Sequence, residues 1–183
     1  MKLEILEKDC YYHIYNRGIN SETIFLSNEN KIYFLKLLSK HLTNNIDVFA
    51  YCLMDNHFHL VIKINEDEKI VTQSFSNFFN AYAKAFNKQN QRTGSLFEKH
   101  FKRIKLKDEN YLRELILYVH LNPKHHFNID FKNYKFSSYI AFISENETKI
   151  KRDYVLALFG DKENFIFCHN QKSEILNEKY TLE

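Results

Sequence analysis

The sequence predicts an α+β fold, in which a four-stranded antiparallel sheet of the ferredoxin-like or RRM-like kind carries helices on one face and is followed by a C-terminal helical tail. Strand-like and helix-like patterns follow one another in the order β-α-β-β-α-β-α. Only three Gly and one Pro occur in 183 residues, which favours regular elements joined by short polar turns. The hydrophobic content of 44% is sufficient for a buried core and argues against a disordered chain.

The first half of the chain is predicted to contain three strands and one helix. Aromatic and β-branched residues dominate the strand segments, as is typical of sheets. Ser27 is a candidate N-cap for the helix, whose apolar residues recur at near-helical spacing. Asp55 and Asn56 supply the turn between the second and third strands. The predicted elements are a strand over residues 10–18, a helix over 28–42, and strands over 46–53 and 57–64.

The second half adds two helices and one strand before the tail. A stripe of aromatic residues marks a helix over about 71–90, and a strand is predicted over 95–106. A third helix starts at Glu109, and Pro123 is expected to stop it at about Leu121 because proline disrupts helical hydrogen bonding. Beyond it, the patterns predict only short or weak helices, at 134–144, 154–159 and 161–180. We therefore expect a main domain over 1–143 and a tail of unknown role over 144–183.

Cysteine content and hydropathy predict the cellular compartment of the protein. Cys10, Cys52 and Cys168 are odd in number and lack C-x-x-C spacing, which favours reduced, buried thiols. The first nine residues carry charges and no long apolar run, so a signal peptide is not expected. No apolar stretch of about 18 residues occurs, so no membrane span is expected. These features predict a cytoplasmic protein, and nucleoid association follows if it binds DNA.

Positive charge is concentrated in residues 84–107. The formal net charge of the chain is +3, yet this segment holds eight Lys or Arg residues against one Glu. Three Phe residues are interleaved with these charges, a pattern that suits a phosphate backbone with stackable bases. A solvated cationic surface is the alternative. The candidate DNA-binding residues in this segment are Lys84, Lys88, Arg92, Lys99, Lys102, Arg103 and Lys105.

A histidine pair lies at the start of the third predicted strand. His57 and His59 are two residues apart, so both side chains leave the same face of the sheet, which we expect to be the exposed one. Their Cα atoms should be roughly 6.5–7 Å apart, which allows both imidazoles to converge on one ion. A third ligand with an oxygen donor would favour Mg²⁺ or Mn²⁺. A chance pattern or a cross-strand structural pair remains the alternative.

A tyrosine and an asparagine are four residues apart on the third helix. Tyr118 and Asn122 lie on nearly the same side of it, at the edge of the apolar stripe. A phenol at that edge is placed to reach the neighbouring sheet, and the Asn side-chain oxygen is available as a ligand. Spacing alone leaves two other interpretations open, since a boundary tyrosine often only packs its ring and an Asn before Pro often only terminates a helix.

Five runs in this order resemble a known family. They are YHIYNRGINSETIF, AYCLMDNHFHLVIK, RTGSLFEKHFKR, ELILYVHLNP and YKFSSY. Together they are similar to the REP-associated branch of the single-tyrosine transposases, within the His-hydrophobic-His nucleases, and the resemblance covers about residues 10–142. Each run alone is weak, whereas the combination is specific.

The resemblance implies roles for individual residues. His57 and His59 would be metal ligands, and Asn122 would complete the site where related insertion-sequence transposases carry Gln. Tyr118 would be the nucleophile. Residues 16–18 match the first-strand signature and 92–94 the central one, and both are expected to position DNA or shape turns. This adds Asn16 and Arg17 to the candidate DNA-binding residues.

The chain departs from the family pattern at two places. His100 stands where an Arg is common, and Lys124, His125 and His126 replace an Arg-Ala-Gly-like stretch after Asn-Pro. These departures leave the implied catalytic residues intact and put the DNA contacts and the target sequence in doubt.

The implied function is a metal-dependent single-stranded DNA transesterase that cleaves and rejoins DNA at or near hairpins through a 5′-phosphotyrosine, using Mg²⁺ or Mn²⁺. The alternatives are a domesticated hairpin-binding regulator that does not cut, and an RNA-binding module on the same kind of fold. A monomer is favoured over a homodimer, because the tail is in a position to cover the surface that a partner would use.

Overall fold

The computed structural model describes residues 4–175 and confirms the predicted α+β fold class. Four strands form one antiparallel sheet, and six α-helices pack around it within this range. The strands are Tyr11–Arg17 (β1), Ile46–Leu53 (β2), His57–Ile64 (β3) and Lys102–Lys105 (β4). The helices are Asn28–Leu42 (α1), Glu68–Gln89 (α2), Glu109–Phe127 (α3), Tyr139–Ile143 (α4), Arg152–Leu158 (α5) and Lys162–Ile175 (α6).

The strand order in the sheet is β2-β3-β1-β4, so β1 lies between β3 and β4. β1 and β3 pair in a register that places Tyr15 opposite His59 and Arg17 opposite His57. Because side chains alternate along a strand, the odd-numbered residues of these two strands share one face of the sheet. That face therefore carries both histidines of the predicted pair together with His13 of β1.

α1 and α2 cover the other face of the sheet. Ile14 of β1 and Leu60 of β3 are fully buried there, against Phe34 of α1 and Phe78 of α2. Both helices turn their apolar stripes to the sheet, as their sequence periodicity predicts. The prediction that helices cover one face holds for this pair.

α3 and the C-terminal helices form a second layer on the histidine face. Val61 of β3 packs with Ile116 and Val119 of α3, and Val155 of α5 and Phe165 of α6 belong to the same core. Up to residue 175 the predicted tail thus packs against α3, and residues 176–180 of its predicted helix lie outside the described residues. The division between residues 1–143 and 144–183 stays a prediction.

Pro123 does not end α3, contrary to the sequence-based expectation. The helix runs on to a cap at Asn128, whose φ of 52° is left-handed. The Asn128 N–H donates to the Lys124 carbonyl at 3.0 Å, and the Ile129 N–H donates to the Pro123 carbonyl at 3.1 Å. This cap, together with a 2.8 Å bond from Lys124 Nζ to the Ser173 carbonyl, stabilises the turn after the proline. Those contacts offset the loss of one helical donor.

The fourth strand is shorter than predicted. Only residues 102–105 pair with β1, although a single bridge joins Gly18 to Phe97 upstream. His100 has a φ of 60°, which interrupts the extended backbone between these two contacts. Residues 95–101 therefore form a loop that crosses the end of β1.

Candidate active site

His59 is the buried member of the histidine pair. Its side chain was expected on an open face, but α3 packs over that face, and His59 is only 3% exposed. Its Nδ1 lies 2.9 Å from Nε2 of His13, and its Nε2 has no hydrogen-bond partner among the described residues. Burial, and then the charges that His13 and His57 would carry, keep the pKa of His59 well below its usual value. The ring is therefore neutral, as a metal ligand must be.

His57 stands at the start of β3, half-buried, with its ring centroid 5.2 Å from that of His59. Its Nδ1 lies 2.7 Å from Oδ1 of Asn56, while Nδ2 of Asn56 donates to the Ser21 carbonyl. An amide oxygen only accepts, so Nδ1 of His57 carries the proton and its Nε2 keeps a lone pair. An outer hydrogen bond of this kind fixes the tautomer that metal ligation requires.

Asn122 contributes an oxygen to the same region. The residue is fully buried, and its Nδ2 donates to the Tyr118 carbonyl at 2.9 Å. Its Oδ1 is buried and has no hydrogen-bond partner among the described residues. An amide oxygen left unpaired in a protein interior is unfavourable by about 1–3 kcal/mol unless something binds it.

These donors are of a kind that suits a divalent ion. Within residues 4–175 no group of three or more His, Cys, Asp or Glu side chains is arranged to hold a metal, so a site here depends on the Asn122 oxygen. Two imidazole nitrogens and an amide oxygen form a mixed donor set that accepts Mn²⁺ and, with water, Mg²⁺. The residues present thus fit the ion that the sequence predicts.

Tyr118 lies beside the histidines. Its half-buried ring meets the His59 ring edge to face, with centroids 5.6 Å apart, and the His13 ring in the same way at 6.4 Å. The four-residue spacing of α3 brings Asn122 to the same side. The structure therefore gathers Tyr118, His57, His59 and Asn122 at one place between β3 and α3.

An open cavity of about 660 Å³ adjoins the histidines. Its wall is polar and of mixed charge, with cationic side chains from β1 and β4 and two carboxylates, Asp55 and Glu98. The loop that carries Asn56 and the end of α3 form the rim. The lining residues that concern the site are Tyr15, Asn16, Arg17, Asn56, His57, His59, Glu98, Lys102, His126 and Phe127.

Three of the predicted DNA-binding residues line this cavity. Asn16 donates from Nδ2 to the Glu98 carbonyl at 3.3 Å, which ties β1 to the loop before β4. Arg17 is paired with the Glu98 carboxylate at 2.6 Å, and Lys102 lies on the wall. Gly18 allows the turn after them, since a Cβ there would lie 2.0 Å from the Glu22 carbonyl oxygen.

Other predicted DNA-binding residues are held by partners within the protein. Arg92 pairs with Glu22 at 2.6 Å and donates to the Ser95 carbonyl, so it shapes the loop. Lys105 pairs with Glu7 at 2.8 Å. Arg103 lies over the Phe101 ring at 4.2 Å, and burial lowers its pKa.

The remaining three lysines are exposed and outside the cavity. Lys84, Lys88 and Lys99 form no ion pair with any residue in the part of the chain that the structure describes. Lys84 and Lys88 are on α2, which lies on the side of the sheet away from the histidines. The segment 84–107 is thus not one surface.

Two histidines of the site were not predicted as functional residues. No role was predicted for His13, because a single histidine on a strand has no spacing signal. His126 was noted only as a departure from the family pattern, yet its exposed ring lies 5.0 Å from that of His57. Because His126 follows Asn122 by four residues, helical spacing was a signal available in the sequence.

Comparisons with known proteins show the family and the fold of this chain. The sequence profile of the family described as IS200-like transposases matches residues 7–122. A solved structure of a REP-associated tyrosine transposase bound to a REP hairpin is similar in fold, with a TM-score of 0.62 and 14% identity over 79% of this chain and 86% of that one.

A second solved structure is more distant. The tRNA(His) guanylyltransferase from Saccharomyces cerevisiae has 13% identity and a TM-score of 0.45, over 98% of this chain and 85% of that one. A search of curated proteins finds no match. None of the helices within residues 4–175 combines the length and the apolar character that a bilayer crossing requires. The family match covers more than half of the chain and includes all four gathered residues, so the chain belongs to the IS200-like transposases.

Proposed function

We propose that this protein is a metal-dependent transesterase that cleaves and rejoins single-stranded DNA at or near hairpins, with Tyr118 as its nucleophile. The observation that supports this most strongly is that two buried polar atoms, His59 Nε2 and Asn122 Oδ1, lack hydrogen-bond partners among the described residues. Both residues contact Tyr118, since the His59 ring meets its ring and the Asn122 amide donates to its carbonyl. Buried polar atoms are normally satisfied, so two unsatisfied atoms on residues that both contact Tyr118 support a ligand site here.

His57, His59 and Asn122 would hold the ion. When bound, Mg²⁺ or Mn²⁺ supplies Lewis acidity that polarises the scissile phosphate and offsets charge in the transition state. The two imidazoles are fixed from behind by Asn56 and His13, so little reorganisation is needed on binding.

Tyr118 would attack the phosphorus of the scissile phosphodiester. A new bond forms between the phenolic oxygen and phosphorus, and the bond from phosphorus to the 3′ oxygen of the preceding nucleotide breaks. The phenol, whose ordinary pKa is about 10, loses its proton, and the leaving 3′ oxygen gains one. The products are a 5′-phosphotyrosine and a free 3′-hydroxyl. One phosphodiester replaces another, so the reverse reaction can rejoin the strand.

The cavity would receive the DNA strand next to the scissile phosphate. Lys102 and Arg17 offer positive charge on its wall, while Tyr15 and Phe127 offer rings on which an unpaired base can stack. Single-stranded DNA suits an open, mixed polar and aromatic cavity better than a duplex does. The protein would act in the cytoplasm on nucleoid DNA.

The C-terminal helices favour action as a monomer. His169 of α6 lies 2.9 Å from His120 of α3, and Lys124 Nζ donates to Ser173 Oγ at 2.6 Å. These contacts hold α3 against its own chain, so Tyr118 would serve the histidines of the same molecule.

Covalent capture of DNA tests the proposal. The protein is incubated with Mn²⁺ and a panel of labelled oligonucleotides that carry hairpins with single-stranded flanks, and adducts are separated by denaturing electrophoresis. Tyr118→Phe should bind the hairpin and form no adduct. Tyr111→Phe is the matched control, because Tyr111 is an exposed tyrosine at the start of the same helix. Hairpin binding by the wild type without any adduct would favour the non-cutting regulator instead, and preference for RNA hairpins would favour the RNA-binding module.

A further inference from the structure

We propose that His13 is a positioning residue, which holds His59 in the tautomer that can ligate metal and keeps Tyr118 next to it. This inference rests on the proposed metal-dependent function. His13 belongs neither to the histidine pair, which is on β3, nor to the tyrosine-asparagine pair, which is on α3. It lies on β1.

The sheet register brings His13 to the site. His13 stands directly opposite Val61 on β3 and Ile104 on β4, so it lies in the middle of the sheet. Tyr15 lies two residues further along β1 on the same face, and it pairs with His59 on β3. The His13 side chain is 6% exposed, because α3 covers this part of the sheet. A central, buried position gives the ring little freedom to move.

The hydrogen bond between the two imidazoles determines which nitrogen of His59 carries the proton. Nε2 of His13 lies 2.9 Å from Nδ1 of His59, so one of the two atoms donates and the other accepts. If His59 donates from Nδ1, its Nε2 has a lone pair, and this is the atom that has no hydrogen-bond partner among the described residues. His13 then acts as the acceptor behind the ligand, a role that a carboxylate or a backbone carbonyl fills in many metal sites.

The same ring also contacts the nucleophile. His13 meets Tyr118 edge to face at 6.4 Å between centroids, and its ring is stacked with that of His59 at 5.1 Å. Tyr118 thus lies in a corner formed by two imidazoles that are bonded to one another. A shift of His13 would displace the ligand and the tyrosine together.

A purely structural role is a poor explanation for an imidazole here. Burying a polar ring is unfavourable unless its nitrogens are bonded, and the fully buried Val61 opposite it shows that an apolar side chain fits the same layer. Leu or Phe would fill the space. What they lack is the acceptor for Nδ1 of His59.

Two substitutions at His13 distinguish its role as a hydrogen-bond acceptor from its contribution to packing. In His13→Gln the amide oxygen reaches about as far as Nε2 and still accepts, whereas in His13→Leu the volume is largely kept and the acceptor is lost. We expect His13→Leu to lower Mn²⁺ affinity about 10–100-fold, the usual effect of removing an outer-shell partner, and His13→Gln to recover most of that loss. His41→Leu is the control, because His41 is on α1, away from the site.

Mn²⁺ affinity is measured by calorimetry, and thermal unfolding shows that each variant is folded. Long-range ¹H–¹⁵N NMR spectra, taken without metal at about pH 8, report the tautomer of His59 directly. They should show the proton on Nδ1 in the wild type and in His13→Gln, and a shift of the proton to Nε2 in His13→Leu. Adduct formation should follow metal affinity across the three proteins.

The outcomes distinguish this inference from the proposed function. Wild-type Mn²⁺ affinity in folded His13→Leu, or a proton on Nε2 of His59 in the wild type, would overturn the role of His13. Absence of Mn²⁺ binding by the wild type would instead refute the metal-dependent function, and the tautomer spectra would still decide whether His13 sets the state of His59.

Discussion

Two buried pairs of hydrogen-bonded histidines lie within residues 4–175, and they differ at their outer nitrogens. In the pair His13–His59 and in the pair His120–His169, the bonded nitrogens are 2.9 Å apart. In the second pair the outer nitrogens are also bonded, His120 Nε2 to Ser138 Oγ at 2.8 Å and His169 Nδ1 to the Phe165 carbonyl at 2.7 Å.

In the first pair, by contrast, Nε2 of His59 has no hydrogen-bond partner among the described residues, and the residue lines the cavity. Burial and a depressed pKa are common to both pairs, so neither property identifies the functional one. The unpaired Nε2 of His59 next to the cavity distinguishes the pair that could bind a ligand, because a fully bonded pair has no atom to offer one.

The largest effect on metal binding should come from removing the unpaired nitrogen, Nε2 of His59. We expect His59→Ala to abolish detectable Mn²⁺ binding and adduct formation, since a lost ligand has a larger effect than the 10–100-fold typical of an outer-shell partner. Calorimetry and denaturing electrophoresis measure the two properties.

His169→Leu is the matched variant in the other pair. It leaves the His120 ring without its partner, so it should lower the free energy of unfolding by about 1–3 kcal/mol while Mn²⁺ affinity stays unchanged. Equal losses of Mn²⁺ affinity in folded His59→Ala and His169→Leu would remove the distinction between the pairs.

Lowering the pH is expected to reduce the free energy of unfolding by an intermediate amount. Burial lowers the pKa of His169 to about 4, against an ordinary value of 6.5. The unfolded chain therefore binds a proton more readily than the folded one. The contribution of His169 to stability is full above pH 6.5 and is lost as the pH falls from 6.5 to 4, by at most about 3 kcal/mol. Urea unfolding across this range should show a shallower pH dependence in His169→Gln than in the wild type, and identical profiles would contradict the prediction.

The smallest effect concerns the surface that receives DNA. If the cavity beside His59 is that surface, Lys102→Gln should reduce the slope of log K against log salt for hairpin binding by up to about one unit. Lys84→Gln removes an exposed charge on the far side of the sheet and should change the slope less. Fluorescence anisotropy at several salt concentrations measures both. A larger change in Lys84→Gln would place the main phosphate contacts away from the cavity.

Local sequence patterns predicted the elements that carry the histidine pair. The strands over residues 46–53 and 57–64 match the structure because their apolar residues and their turn are specified by neighbours in sequence. The packing of α3 over His59 was not predictable in this way, because it depends on which face of the sheet the third helix covers. For the same reason His59 was expected to be exposed and is buried.

The two misplaced boundaries have a similar cause. Pro123 was expected to end α3, and the cap at Asn128 together with the contact of Lys124 with Ser173 carries the helix past it. The fourth strand was expected to be continuous, and the left-handed backbone at His100 interrupts it. In both cases a residue with a left-handed backbone conformation, Asn128 or His100, changes the boundary, and the residue type alone does not predict that conformation.

The way the C-terminal helices pack against α3 has a practical consequence for anyone who trims this protein. Val155, Phe159 and Phe165 are buried in the core that α3 shares with the sheet. A recombinant fragment ending at residue 143 would expose the apolar surface that these side chains cover, together with Nδ1 of His120, which would lose its His169 partner. Such a fragment should be prone to aggregation, and its inactivity would say nothing about Tyr118. Shortened versions for crystallisation or assay should therefore keep α6.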